Sequence, residues 1–186
     1  MKVGLKIGLA TVVLLAVAAL VFWFAAPIRS TTTVTTPSET PLPEDAVIDR
    51  LVVHKSKRTM SAYYQGKLLK TYPISLGKQL VGHKQFEGDG KTPEGKYRIN
   101  ERNPNSGYHK NLGVSYPNEA DKAYAAAQGK SPGGLIKIHG IKNGWGSIGK
   151  RHLQRDWTDG CIAVTDEEID ELYRSVKHNA EIEILP

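Results

Sequence analysis

An uncharged run at residues 7–28, dense in Val, Leu, Ala and Phe, constrains this chain more than any other feature. A helix of that length rises about 30 Å, which is the thickness of the hydrocarbon core of a bilayer. The sequence therefore predicts a transmembrane helix over about 7–28, within an N-terminal membrane anchor at residues 1–29. Any globular domain must be built from the residues that follow.

A cleavable signal peptide is the alternative interpretation of this segment. Its apolar part would be about 7–15 residues long and would end in a small-x-small site. The clean Ala-x-Ala, Ala16 to Ala18, lies in the middle of the run, which favours an uncleaved anchor. Lys2 and Lys6 precede the run and Arg29 follows it, and this bias places the following chain outside the cytoplasm. The predicted location is the cytoplasmic membrane, single-pass, with the domain on the periplasmic or cell-wall side.

Residues 30–46 read STTTVTTPSETPLPEDA and carry no apolar period. Such a Thr- and Pro-rich segment is typical of a semi-extended linker. The remaining residues, 47–186, have the usual length of one domain and can bury a substantial core.

The charge of this domain is uneven. Residues 47–155 hold 20 Lys and Arg against 7 Asp and Glu, whereas residues 156–186 hold 2 against 9. A basic surface beside one acidic helix needs no ligand, but a net +13 body also attracts polyanions. Behind a membrane anchor, an anionic cell-wall polymer or lipid surface is a better partner than nucleic acid, and we infer no nucleic-acid binding.

The residue patterns predict a mainly β domain with few helices. Strands are expected at 46–53, 59–64, 67–76, 96–102, 135–139 and 181–185, the first three as an antiparallel meander. A capping box of Thr165 and Glu168 begins an amphipathic helix whose apolar face carries Ile169, Leu172, Tyr173 and Val176. A second, short helix is expected at 120–128.

The single cysteine, Cys161, excludes an intramolecular disulfide framework and any Cys-rich zinc or iron–sulfur site. It follows Gly160, which lets the backbone approach a substrate closely. The N–H groups of Gly160 and Cys161 could then point at a developing oxyanion. A small buried hydrophobic residue is the alternative interpretation of Cys161.

A nucleophilic thiol needs a base, and six histidines are available. His139 ends an apolar strand before Gly140, which we expect to place its ring at a sheet rim with little steric cover. His152 lies in a basic loop, and His178 follows the predicted helix. Pairing with Cys161 favours His139.

These residues carry a resemblance to a known family. Three segments carry it: Ile138-His139-Gly140, a glycine-rich loop with Ser147-Ile148-Gly149, and Thr158-Asp159-Gly160-Cys161-Ile162. Together they resemble the signature of the L,D-transpeptidase (YkuD-like) catalytic domain. Upstream, the segment Thr92-Pro93-Glu94-Gly95-Lys96-Tyr97 resembles the family's corresponding segment. The resemblance covers about 47–186. Asp159 and Ala163 depart from the family pattern.

The resemblance implies a β-sandwich domain with Cys161 as nucleophile and His139 as base. Gly160 and Gly140 are the candidate backbone groups for the oxyanion and for orienting the histidine. Thr158, Arg155 and Trp157 are candidate substrate contacts, with core packing as the alternative for Trp157.

The implied activity is acyl transfer from a peptidoglycan tetrapeptide stem to an acceptor amine, in cell-wall cross-linking. It needs no metal or other cofactor and no obligate protein partner. Two alternatives stay open. The same scaffold could act as a cysteine L,D-carboxypeptidase or peptidoglycan hydrolase, or the domain could be a noncatalytic wall-binding module.

Overall fold

The structure is a computed structural model that describes residues 40–186. The predicted anchor and most of the predicted linker lie outside the described residues. Within 40–186, no helix is long and apolar enough to cross a membrane.

Eight strands, two α-helices and one 3₁₀ helix make up the described part of the chain. The strands are β1 (Ile48–His54), β2 (Thr59–Tyr64), β3 (Lys67–Pro73), β4 (Gly95–Ser106), β5 (His109–Val114), β6 (Lys137–His139), β7 (Ile162–Ala163) and β8 (Val176–Leu185). The helices are α1 (Glu119–Ala127), the 3₁₀ helix (Gly146–Gln154) and α2 (Asp166–Ser175).

The first three strands form the predicted antiparallel meander, with Val52 opposite Ser61 and Ser61 opposite Thr71. Gln65 and Gly66 connect β2 to β3 with φ angles of 48° and 78°. Two successive positive φ angles are typical of the type I′ turn, whose twist matches that of the flanking strands.

All eight strands belong to one hydrogen-bonded sheet in the order β3-β2-β1-β8-β4-β5-β6-β7. This corrects the expected β-sandwich. The long strand β4 pairs with β8 through residues 95–98 and with β5 from Ile99 onward, so it joins two halves of a curled sheet. The domain is mainly β, as predicted.

Helix α2 begins at the predicted capping box. Thr165 Oγ1 accepts the Glu168 N–H, and the Glu168 carboxylate accepts the Thr165 N–H. Ile169 and Leu172 are fully buried in the core of the domain, so the amphipathic pattern was correctly interpreted. Val176, predicted on the same face, instead begins β8.

Three elements near the site were missed by the sequence patterns: β5, the 3₁₀ helix and the two-residue strand β7. Strand β5 carries Gly113 and few β-branched residues, and the 3₁₀ helix contains Gly146 and Gly149. Both segments therefore read as loops. Both take their conformation from packing against the rest of the domain, because strand propensity depends strongly on its neighbours.

Candidate active site

The last strands of the sheet bring Cys161 and His139 to one place. Strands β6 and β7 are parallel neighbours, with Ile138 opposite Ile162 and His139 opposite Ala163. Because Cys161 directly precedes β7, it emerges beside the end of β6 that carries His139. Both side chains line one cleft of about 290 Å³.

The imidazole of His139 is oriented by the backbone of the next residue. Its Nδ1 donates a hydrogen bond to the Gly140 carbonyl at 2.7 Å. This contact leaves Nε2 as the ring nitrogen that can accept a proton.

The surroundings of His139 correct the expectation of little steric cover. The residue is only 5% exposed, since its ring packs against Tyr108 at 4.7 Å and Trp157 at 5.6 Å between centroids. Burial lowers the pKa of His139, and the hydrogen bond to Gly140 only partly opposes this. The imidazole is therefore neutral at pH 7.

The thiol of Cys161 is half-buried in the same cleft. Its Sγ donates to the Leu135 carbonyl at 3.6 Å rather than to His139. Burial raises the pKa of Cys161, and the backbone N–H and ammonium of Lys137 only partly offset that effect. The resting pair is thus a neutral thiol and a neutral imidazole.

Thr158 braces the turn that carries the thiol. Its Oγ1 accepts the Gly160 N–H at 3.1 Å and donates to the Cys161 carbonyl at 2.7 Å. The hydroxyl is buried and engaged with the turn, so it positions Cys161, and Thr158 also lines the cleft.

The same contact corrects the expected role of Gly160. Its N–H points inward to Thr158 and is not directed at an oxyanion in the cleft. Glycine is nevertheless required there, because φ is +130° and a Cβ would lie 2.5 Å from the Lys91 carbonyl oxygen.

Gly140 supplies the backbone carbonyl that the resemblance implied for orienting the histidine. Its carbonyl accepts from His139, while its N–H donates to the Tyr108 carbonyl at 3.2 Å. A Cβ at Gly140 would lie 2.6 Å from Asp166 Oδ1, which itself accepts the Ile141 N–H at 2.7 Å. The start of α2 therefore fixes the loop that follows His139.

The two departures from the family pattern lie on either side of Cys161, and the Asp159 charge adds to the burial that raises the pKa of the thiol. The Asp159 carboxylate is exposed at the mouth of the cleft and pairs with Lys78 at 2.9 Å. Ala163 is fully buried, and its N–H donates to the Ser75 carbonyl at 2.8 Å.

A second pocket of about 700 Å³ adjoins the cleft, and Tyr108 and Trp157 line both. Arg155 lies in this second pocket with Lys142 and Arg151, whereas Cys161 does not. Two of the predicted substrate contacts therefore lie in different pockets. Trp157 lines the cleft that holds Cys161 and His139, and Arg155 lies in the adjoining pocket.

The other candidate histidines do not share the cleft with Cys161. His152 lies on the 3₁₀ helix rather than in the expected loop, is buried, and accepts a weak contact from Trp157 Nε1 at 3.5 Å. Burial and the nearby His139 lower the pKa of His152 to about 4. His178 lies exposed on β8.

Several residues of the cleft were not found from the sequence: Ser106, Tyr108, Asn111, Leu135 and Lys137. Three of them lie on or beside β5, the strand that the residue pattern did not reveal. An Asn-Ser-Gly turn before Tyr108 is the only local signal, and it does not show which strand the turn begins.

The family model for the L,D-transpeptidase catalytic domain, YkuD, matches residues 48–184. The chain belongs to this family. The resemblance drawn from the motifs around His139 and Cys161 is therefore confirmed. Family membership supports an enzyme that acts on peptidoglycan.

Two curated relatives carry names from the same family. "Putative L,D-transpeptidase YafK" of Escherichia coli K12 is 32% identical over 131 residues, which cover 67% of this chain and 45% of the relative. "Putative L,D-transpeptidase YkuD" of Bacillus licheniformis is 30% identical over 142 residues, which cover 76% and 68% of the two chains.

Solved structures show the same fold. The helical cell shape determining protein Pgp2 of Campylobacter jejuni superposes with a TM-score of 0.57 at 29% identity, over 75% of this chain and 48% of that one. An L,D-transpeptidase of Mycobacterium smegmatis reaches 0.50 at 15% identity, over 74% and 58%. The chain thus spans less than half the length of YafK and of Pgp2.

Proposed function

We propose that this protein is a peptidoglycan L,D-transpeptidase that transfers an acyl group through Cys161. The observation that carries the proposal is the placement of Cys161 and His139 in one cleft, beside neighbouring ends of parallel β6 and β7. Membership of the L,D-transpeptidase catalytic domain family supports the same reaction.

The proposed reaction starts from the neutral pair. As the substrate enters, the Cys161 thiol gives its proton to His139 Nε2 while Sγ bonds to the carbonyl carbon. The C–N bond then breaks, and His139 returns the proton to the leaving amine. The product is a thioester on Cys161, which an acceptor amine or water resolves by the reverse proton path.

The oxyanion needs a hydrogen-bond donor in the cleft. Since the Gly160 N–H is held by Thr158, the N–H of Cys161 is the candidate that remains from the turn. Because Thr158 holds the turn in place, the Cys161 N–H would not have to reorient when negative charge develops on the substrate oxygen.

The donor substrate follows from the family rather than from the cleft. It would be a tetrapeptide stem, cut after its third residue, a diamino acid, with release of D-Ala. The adjoining pocket with its three cations, Lys142, Arg151 and Arg155, offers room for the carboxylates of a second peptide. This observation favours transfer over hydrolysis.

Product analysis distinguishes the possible activities. The full-length protein is incubated with a disaccharide-tetrapeptide, and the muropeptides are separated and weighed. Dimers with an L,D cross-link are expected, and Cys161→Ala and His139→Ala should form none. Tripeptide alone would assign the hydrolase, and no change in any muropeptide would leave a wall-binding module.

We also propose that the apolar segment at 7–28 anchors the domain outside the cytoplasmic membrane. The support is its length and the Lys residues before it. A periplasmic reporter fused after Pro186 should be active, and the intact chain should stay with membranes after a salt wash. Activity of a cytoplasmic reporter at the same position would contradict this orientation.

A further inference from the structure

Asn111 is a polar residue of the catalytic cleft that the proposed reaction has not used. It lies on β5, directly opposite His139 on β6 in the antiparallel ladder. Residues opposite each other in such a pair project from the same face, with Cβ atoms about 4.5–5.5 Å apart. Asn111 therefore flanks His139 on one side, while β7, which follows Cys161, flanks it on the other.

The carboxamide of Asn111 has a vacant acceptor. The residue is 8% exposed, and its Oδ1 is buried without a hydrogen-bond partner among the described residues. A buried carbonyl oxygen of this kind is costly and uncommon in a folded domain. A ligand donor would satisfy it.

Three other polar groups of the cleft are already engaged. Ser106 Oγ accepts the Tyr108 N–H, Thr158 Oγ1 braces its turn, and the Lys137 ammonium pairs with Glu101. Among the buried side-chain oxygens that line the cleft in the described residues, Asn111 Oδ1 is the one without a hydrogen-bond partner.

We propose that Asn111 Oδ1 accepts the N–H of the scissile amide and so determines how the leaving nitrogen faces His139. The inference rests on the proposed function. In that reaction the amide nitrogen must receive a proton from His139 Nε2 as the C–N bond breaks. Holding its N–H on Asn111 keeps the nitrogen beside the ring that protonates it, and an incoming amine occupies the same place when the thioester is resolved.

The test compares two donors on the full-length protein. One is a tetrapeptide stem ending in D-Ala, and the other is its D-lactate analogue, whose ester has no N–H at the scissile bond. Asn111→Leu keeps the side-chain size but removes the acceptor. Asn100→Leu makes the same change at an exposed position of β4 and serves as the control.

Asn111→Leu should lower kcat/KM for the amide about 10-fold to 100-fold, as expected for a lost hydrogen bond that forms in the transition state. It should change kcat/KM for the ester less than about twofold, and Asn100→Leu should change neither. The Tm of Asn111→Leu should equal or exceed that of the wild type, because an unsatisfied buried group has been removed.

If Asn111→Leu lowers kcat/KM for the amide and the ester equally, the inference is overturned. It is also overturned if the variant has a lower Tm and loses both activities, because that result marks Asn111 as a structural residue. If the wild type turns over both donors and Asn111→Leu turns them over equally well, the inference about Asn111 is overturned. The proposed function would stand in that case. If the wild type turns over neither donor, the proposed function fails and this inference fails with it.

Discussion

Burial keeps both members of the Cys161–His139 pair uncharged at rest. It raises the pKa of the thiol and lowers that of the imidazole, so a thiolate–imidazolium ion pair is disfavoured. In the proposed reaction, His139 must therefore act as base while the substrate is being attacked, rather than by holding a pre-formed thiolate. A protected thiol of this kind also resists oxidation, which follows thiolate character.

This neutral pair predicts slow alkylation of Cys161 at neutral pH. The rate of iodoacetamide labelling should rise from about pH 6 to about pH 10 without a plateau, because only the thiolate reacts. His139→Ala should leave the curve nearly unchanged, since a neutral imidazole does not stabilise a thiolate by charge. Labelling is followed by intact mass.

A plateau already reached below pH 7, and lost in His139→Ala, would show a resting ion pair. That result would contradict the neutral pair. It would leave the identity of the nucleophile unchanged.

At the scale of elements, α2 fixes the loop that orients the base. Asp166, in its first turn, accepts the Ile141 N–H and packs against Gly140. Replacing Gly140 by Ala would place a Cβ 2.6 Å from Asp166 Oδ1 and 3.0 Å from Ile169 Cγ2. The loop must then shift, and the Gly140 carbonyl with it.

Gly140→Ala should lower the free energy of unfolding by about 1–3 kcal/mol, the usual cost of overpacking. Turnover should fall as well, because His139 Nδ1 loses its fixed acceptor. Denaturant unfolding and product formation give the two measurements. Gly107→Ala is the matched control, since a Cβ there meets nothing within 4 Å. Equal behaviour of the two variants would contradict the close contact.

The sequence predicted the site only in part. The motifs around Cys161 and His139 are local, so the sequence could single out two side chains that the structure brings into one cleft. The capping box of α2 was found for the same reason. The Gly140 carbonyl orients His139 as the resemblance implied. The Gly160 N–H is instead taken by Thr158 Oγ1, and the direction of a loop N–H cannot be read from residue types alone.

The fold shows the same division. Alternating residues and a Gln-Gly turn predicted the meander. The residue pattern of β5 does not predict a strand, because β5 depends on pairing with β4 and β6. Asn111 and Tyr108 were missed with it. The single sheet replaced the expected sandwich because one long strand, β4, pairs with β8 and β5 in turn.

At the scale of the whole molecule, the basic body of the domain predicts a salt-dependent attraction to an anionic wall. Its cations include Arg151 and Arg155 in the pocket beside the cleft. Binding of the full-length protein to purified sacculi should weaken several-fold between about 50 mM and 500 mM salt, as the Debye length shortens. Sedimentation with the sacculi measures the bound fraction.

The position of the charge can be tested by paired variants. Arg151→Ala with Arg155→Ala should weaken binding more than Lys57→Ala with Lys67→Ala, which removes the same charge from exposed positions outside the pocket. Equal losses would show that only net charge matters. Binding that does not respond to salt would contradict an electrostatic role.

In the proposed enzyme, Cys161 is the acyl-accepting nucleophile and His139 is its base. Intact mass after incubation of the full-length protein with a carbapenem, a β-lactam acyl donor, tests it most directly. We expect the mass to rise by one carbapenem, with the adduct mapped to Cys161, slowed strongly in His139→Ala and absent in Cys161→Ala. An adduct that persists in Cys161→Ala, or no adduct on the wild type, would contradict the account.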